Sequence, residues 1–116
     1  MITMDSINRS AAIIKPKQPL LDWLNALPDT DRPFTLADFQ TDYTVLLLPE
    51  FGDDLHALKF IKKLYKDIFE KELDSFCTDP DYWPTKRDYK TFSQWFDIEF
   101  HSMVFDTVDK EIIKER

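Results

Sequence analysis

One glycine, Gly52, stands against seven prolines in a chain of 116 residues. Backbone with positive φ costs little only for glycine, so tight turns of that kind and glycine-rich loops that wrap a phosphate are almost closed to this sequence. Nucleotide binding through such a loop is excluded. Proline takes over the punctuation, and its fixed φ and missing N–H mark where strands stop and where helices begin or end.

Between those marks the periodicity of apolar residues sets the elements. Residues 11–15 are a short, partly β-branched run halted by Pro16, which predicts a first strand with apolar groups on both faces. From Pro19, the positions Leu20, Trp23, Leu24 and Leu27 follow helical spacing until Pro28, and residues 29–33 read as a loop. Thr35 then caps a brief helical turn carrying Leu36 and Phe39, with Asp38 at the capping-box position. Residues 43–48 predict the central strand of a sheet, because Val45-Leu46-Leu47-Leu48 is continuously apolar where a half-exposed strand would alternate.

Asp53 or Asp54 caps the longest helix, which runs to about Phe76 with Leu58, Ile61, Leu64, Ile68 and Leu73 on one wide apolar face. Its opposite face is charged, and Asp67 with Lys71 forms an i, i+4 pair there. Pro80 and Pro84 break the chain, after which Tyr89, Phe92 and Phe96 predict a fourth helix over 85–96. From Ile98 the pattern alternates and predicts a last strand, with continued helix to about Ser102 as the alternative. Residues 1–9 and 110–116 are expected as flexible ends.

The expected fold is therefore α+β: an about three-stranded sheet packed against about four helices, in the order β-α-α-β-α-α-β, with right-handed crossovers where neighbouring strands run parallel. A single domain, 1–116, is the natural count, since a chain of this size buries roughly 65% of its extended surface in one core. The net charge of −7 is spread as −3 over residues 1–50 and −4 over the remainder, so no basic half exists to hold a duplex or an anionic membrane. Nucleic acid is disfavoured as a partner. No run approaches a signal sequence or a membrane span, and lone Cys77 fits a reducing compartment, so a soluble cytoplasmic protein is expected.

Candidate sites concentrate in the aromatic C-terminal half, where nine of the seventeen aromatic residues fall between Phe76 and Phe105. Trp83, Phe92, Trp95 and Phe96 hold more ring area than a small core usually needs, which points to a protein-binding patch, against the plainer reading that they close the core. Lys86, Arg87 and Lys90 are the one local basic cluster and could seat an anion, or Arg87 could simply stack on Trp83. On the last strand Asp97, Glu99 and His101 share a face at two-residue spacing, a minimal set for a divalent metal; the alternative is a solvated face on which a carboxylate holds His101. Cys77 and His101 are the only thiol–imidazole combination. A helix C-terminus and the nearby Asp74, Asp79 and Asp81 disfavour the thiolate that chemistry would need. No motif calls for a cofactor.

Two stretches, Asn8-Arg9-Ser10-Ala11-Ala12-Ile13-Ile14-Lys15-Pro16-Lys17-Gln18-Pro19 with Leu21-Asp22-Trp23, and Cys77-Thr78-Asp79 through Trp83-Pro84 to Trp95-Phe96-Asp97-Ile98-Glu99-Phe100-His101-Ser102, resemble a family of small uncharacterised bacterial proteins. That resemblance implies a bacterial cytosolic protein and carries over no catalytic residue. The leading expectation is a non-catalytic protein-binding or regulatory domain that engages a protein partner or a copy of itself. The alternatives are a small hydrolase or metal-dependent enzyme using Cys77, Asp97, Glu99 and His101, and an acidic inhibitor that mimics nucleic acid. The last draws on the charge and on the similar element order of barstar-type ribonuclease inhibitors, a likeness of topology alone.

Overall fold

A computed structural model describes residues 2–28 and 33–116; the loop read at 29–33 lies, apart from Pro33, outside the described residues. In chain order the elements are β1 (Ile2–Ser6), β2 (Ser10–Pro16), α1 (Gln18–Asn25), α2 (Leu36–Phe39), β3 (Thr44–Leu48), α3 (Asp54–Phe76), α4 (Tyr89–Trp95), β4 (Phe96–His101) and β5 (Phe105–Val108). A 3-10 turn at Pro80–Tyr82 precedes α4. The class is α+β, with one sheet of three strands and one of two.

The helices start where side-chain chemistry supplies the missing backbone partners. Asp53 caps α3, its carboxylate accepting from the His56 N–H at 2.9 Å, and Asp88 caps α4 by accepting from the Thr91 N–H at 2.8 Å. Pro19 sits in the first turn of α1, where its absent N–H costs nothing. At α2 the Asp38 carboxylate accepts from the Thr35 N–H at 2.8 Å. The 23 residues of α3 make a rod of about 34 Å. Its stripe of Ala57, Ile61, Ile68, Phe69 and Leu73 is buried, and together with Leu20, Phe92 and Phe96 it covers Ala12, Ile14 and Leu48 of the sheet.

In the three-stranded sheet the order is β3-β2-β4, and β2 runs antiparallel to both neighbours. Among the described residues no adjacent strands run parallel, so the crossover rule has no pair to act on; β3 and β4 point the same way on either side of β2. One expectation is corrected here. The centre of the sheet is β2, not residues 43–48. Small Ser10, Ala11 and Ala12 are buried in that middle position, while the apolar strand β3 lies at an edge.

The pleat divides the sheet cleanly. Ala12 pairs with Leu46 and Phe100 on the face covered by helices. Ile13 pairs with Val45 and Glu99, and Ala11 with Leu47 and His101, on the other face. That second face is left to solvent, for Val45 is 57% and Leu47 48% exposed.

The end read as unstructured before Ser10 forms β1, which pairs antiparallel with β5. The last strand accordingly splits in two, β4 and β5, with residues 102–104 between them. An Ile7 N–H to Val104 C=O bond of 3.1 Å joins the ribbon to the main sheet. Among the described residues no helix is long and apolar enough to cross a membrane.

Candidate protein-docking edge

The aromatic residues resolve mainly into core. Phe92 is 1% and Phe96 3% exposed, and both rings stand against the wholly buried Phe69, at 5.9 and 5.6 Å between centroids. Trp95 lies 5.4 Å from the same ring. Trp83 is half-buried and donates its indole N–H to the Cys77 carbonyl at 2.8 Å. A partner could reach Phe92 and Phe96 only by opening the core, so the plainer of the two readings holds for this pair.

Two of the three residues in the basic cluster have local partners. Arg87 lies over the Trp83 ring at 5.8 Å, donates to the Pro84 carbonyl at 2.7 Å and stands 3.9 Å from Glu70. Lys86 is 4.0 Å from Asp88. The open groove of about 440 Å³ beside them is lined by Lys86 and Arg87 but not by Lys90, and it contains the carboxylates of Glu70 and Asp88. Asp88 also fills the start of α4. Hydrogen bonds from the Thr91 hydroxyl and then its N–H hold the Asp88 carboxyl below the usual carboxylate range.

Asp97, Glu99 and His101 do share the solvent face of β4. Their charges, however, are met across the strands: Lys15 of β2 pairs with Glu99, and Lys17 lies 3.6 Å from Asp97. His101 Nε2 hydrogen-bonds to Glu99 at 2.9 Å. The Lys15 hydrogen bond, then that of His101, lowers the Glu99 pKa, and Glu99 in turn raises that of Lys15. Among the described residues no group of three or more His, Cys, Asp and Glu side chains is placed to hold a metal ion, this row included. A lysine stands where a cation would have to sit.

Cys77 and His101 are far apart. Cys77 is the C-cap of α3, with Sγ 3.7 Å from the Asp79 carbonyl oxygen. His101 instead lines a cleft with Asp53, Asp54 and Ala57 at the N-terminus of that helix. Thiol and imidazole therefore lie near opposite ends of α3, a rod of about 34 Å.

The surface that stands out is the one that sequence reasoning placed in the middle of the sheet. β3 is an edge strand, and between it and α3 runs an open apolar groove of about 380 Å³, bounded by Leu46, Leu48, Leu64 and Ile68 with Asp67 and Lys71 on its rim. Val45 and Leu47 continue the apolar surface around the strand onto the uncovered face of the sheet. The opposite edge, β4, is built differently: Asp97, Glu99 and His101 alternate with Phe96, Ile98 and Phe100. Charges along an edge block further strand pairing, and β4 has them where β3 has none. The signal for this site was legible as an unbroken apolar run. Such a run means that a strand is covered on both faces, and here the chain covers one.

Glu72 anchors the start of that edge. It is 6% exposed on α3, and its carboxyl lies near Thr44, the first residue of β3. Burial pushes its pKa up, against a smaller opposite pull from the Thr44 hydroxyl. Comparison of the chain with protein-family models, with curated proteins and with solved structures found no match.

Proposed function

We propose that this chain is a non-catalytic protein-binding domain whose binding element is the β3 edge, which receives an extended strand from a protein partner. The observation that carries the reading is the asymmetry of the sheet: one edge is interrupted by Asp97, Glu99 and His101, while the other presents Val45-Leu46-Leu47-Leu48 without a charge. A strand laid along β3 gains main-chain hydrogen bonds from the free edge, and its alternate side chains meet Leu64 and Ile68 on one face and Val45 and Leu47 on the other. An apolar edge left bare is an aggregation hazard, so its retention favours a use.

The scattered polar candidates support the same class of function. Thiol and imidazole lie at opposite ends of α3, and the carboxylates of β4 are paired with lysines. A photo-cross-linking side chain placed at position 47 in the living cell tests the proposal. A protein adduct is expected there and should vanish when Val45→Lys is added. No adduct of any kind from position 47 would sink it.

A further inference from the structure

We infer that the occupant of this edge is a second copy of the chain, with β3 pairing antiparallel to its own equivalent about a two-fold axis through Leu46. The inference rests on the reading of β3 as the binding element. In that register Thr44 faces Leu48 and Val45 faces Leu47 of the second copy, so every apolar residue of the strand meets an apolar or small partner. Pro49 lacks an N–H and bounds the pairing at one end. The product is a continuous six-stranded antiparallel sheet whose two outer edges are both β4, the charged ones. Closing the pair therefore removes both unguarded edges and stops growth at two copies.

Charge singles out this occupant. The groove carries one acid and one base, Asp67 and Lys71, four residues apart on α3. The expected pair between them does not form, and among the described residues neither enters an ion pair. A two-fold axis reverses the direction of the facing helix, which sets Asp67 against the second copy's Lys71 and Lys71 against its Asp67. A groove that is neutral overall and self-complementary on rotation offers no net charge by which to recognise a basic or an acidic peptide.

The test is sedimentation of the purified chain, with circular dichroism to confirm that each variant is folded. At about 100 μM and physiological salt the wild type is expected as a dimer. Leu47→Lys, which sets a lysine against the second copy's Val45 on the open face at two symmetry-related places, should weaken it about 10-fold. Asp67→Lys and Lys71→Asp should each weaken it, and the doubly swapped variant should restore it; both positions are exposed, so these changes leave the core alone. Because each copy carries −7, the dimer should also tighten as salt rises from low to physiological strength, where the Debye length of about 8 Å screens the general repulsion.

A wild type that stays monomeric, or a dimer indifferent to Leu47→Lys and to the charge swap, overturns the inference. The two readings separate through the cross-linker at position 47. An adduct to a different protein, with the pure chain monomeric, removes only self-association; no adduct at all removes the binding edge itself.

Discussion

Replacing Phe69 by alanine measures how much of the aromatic half is core. Phe69 is fully buried, and its ring meets those of Phe92, Trp95 and Phe96 at 5.9, 5.4 and 5.6 Å. Losing the transfer free energy of the side chain costs about 2–3 kcal/mol. A residual cavity on the order of 80 Å³, at about 24 cal/mol per Å³, adds about 2 kcal/mol. The three ring contacts place the total toward the top of the usual range for such a substitution, at about 4–5 kcal/mol. Against a domain stability of about 5–15 kcal/mol, that is about a quarter or more of the whole. In urea, with a slope of about 1.5 kcal/mol per M, the midpoint should fall by about 3 M. By thermal melting the loss is about 16–20 °C. Phe105→Ala is the matched control, because that ring is 44% exposed on the ribbon and should cost about 1 kcal/mol or less. Equal costs at the two positions, or a Phe69→Ala loss below about 1.5 kcal/mol, would refute the assignment of these rings to the interior.

Three further outcomes follow from single contacts. Glu72 has a folded pKa above its unfolded value of about 4.5, so the native state binds the extra proton between the two. Its stability contribution is full below the unfolded pKa and is lost as pH rises through the folded one. Glu72→Gln should therefore be more stable than wild type near pH 8 and lose that advantage on acidification toward pH 4; a gap that does not change with pH contradicts this. Asp53→Ala removes the cap of α3 and should cost about 1 kcal/mol in urea, with Asp53→Asn retaining most of it. His101→Ala leaves the Lys15–Glu99 pair in place and should change stability by less than about 0.5 kcal/mol. A loss several times larger would mean that the imidazole holds something the structure does not explain.

The helices were legible because their determinants are local. Asp53, Thr35 with Asp38, and Pro19 each act within a few residues of the turn they shape, and α3 repeats its apolar positions over 23 residues; the fourth helix, read over 85–96, instead starts at Tyr89 behind the Asp88 cap and gives up Phe96 to β4. Strand placement depends on partners far along the chain. Nothing in Ile2–Ser6 distinguishes it from a frayed end until Phe105–Val108 lies beside it. The apolar run of β3 correctly signals a strand that wants cover on both faces. It cannot specify whether the chain itself supplies that cover, which is why the residues read as central stand at an edge. The row of Asp97, Glu99 and His101 was placed on one face correctly, yet only the register of β4 on β2 puts Lys15 against Glu99.

The position of β2 between its two neighbours has a consequence for synthesis. The middle strand is made early, but its second flank, Phe96–His101, emerges last of the three. At translation rates of about 5–20 residues per second, the interval between finishing β2 and finishing β4 is about 4–17 s. Through those seconds the nascent chain can offer β2 only β3 as a neighbour, and half of the sheet stays open beside the ribosome.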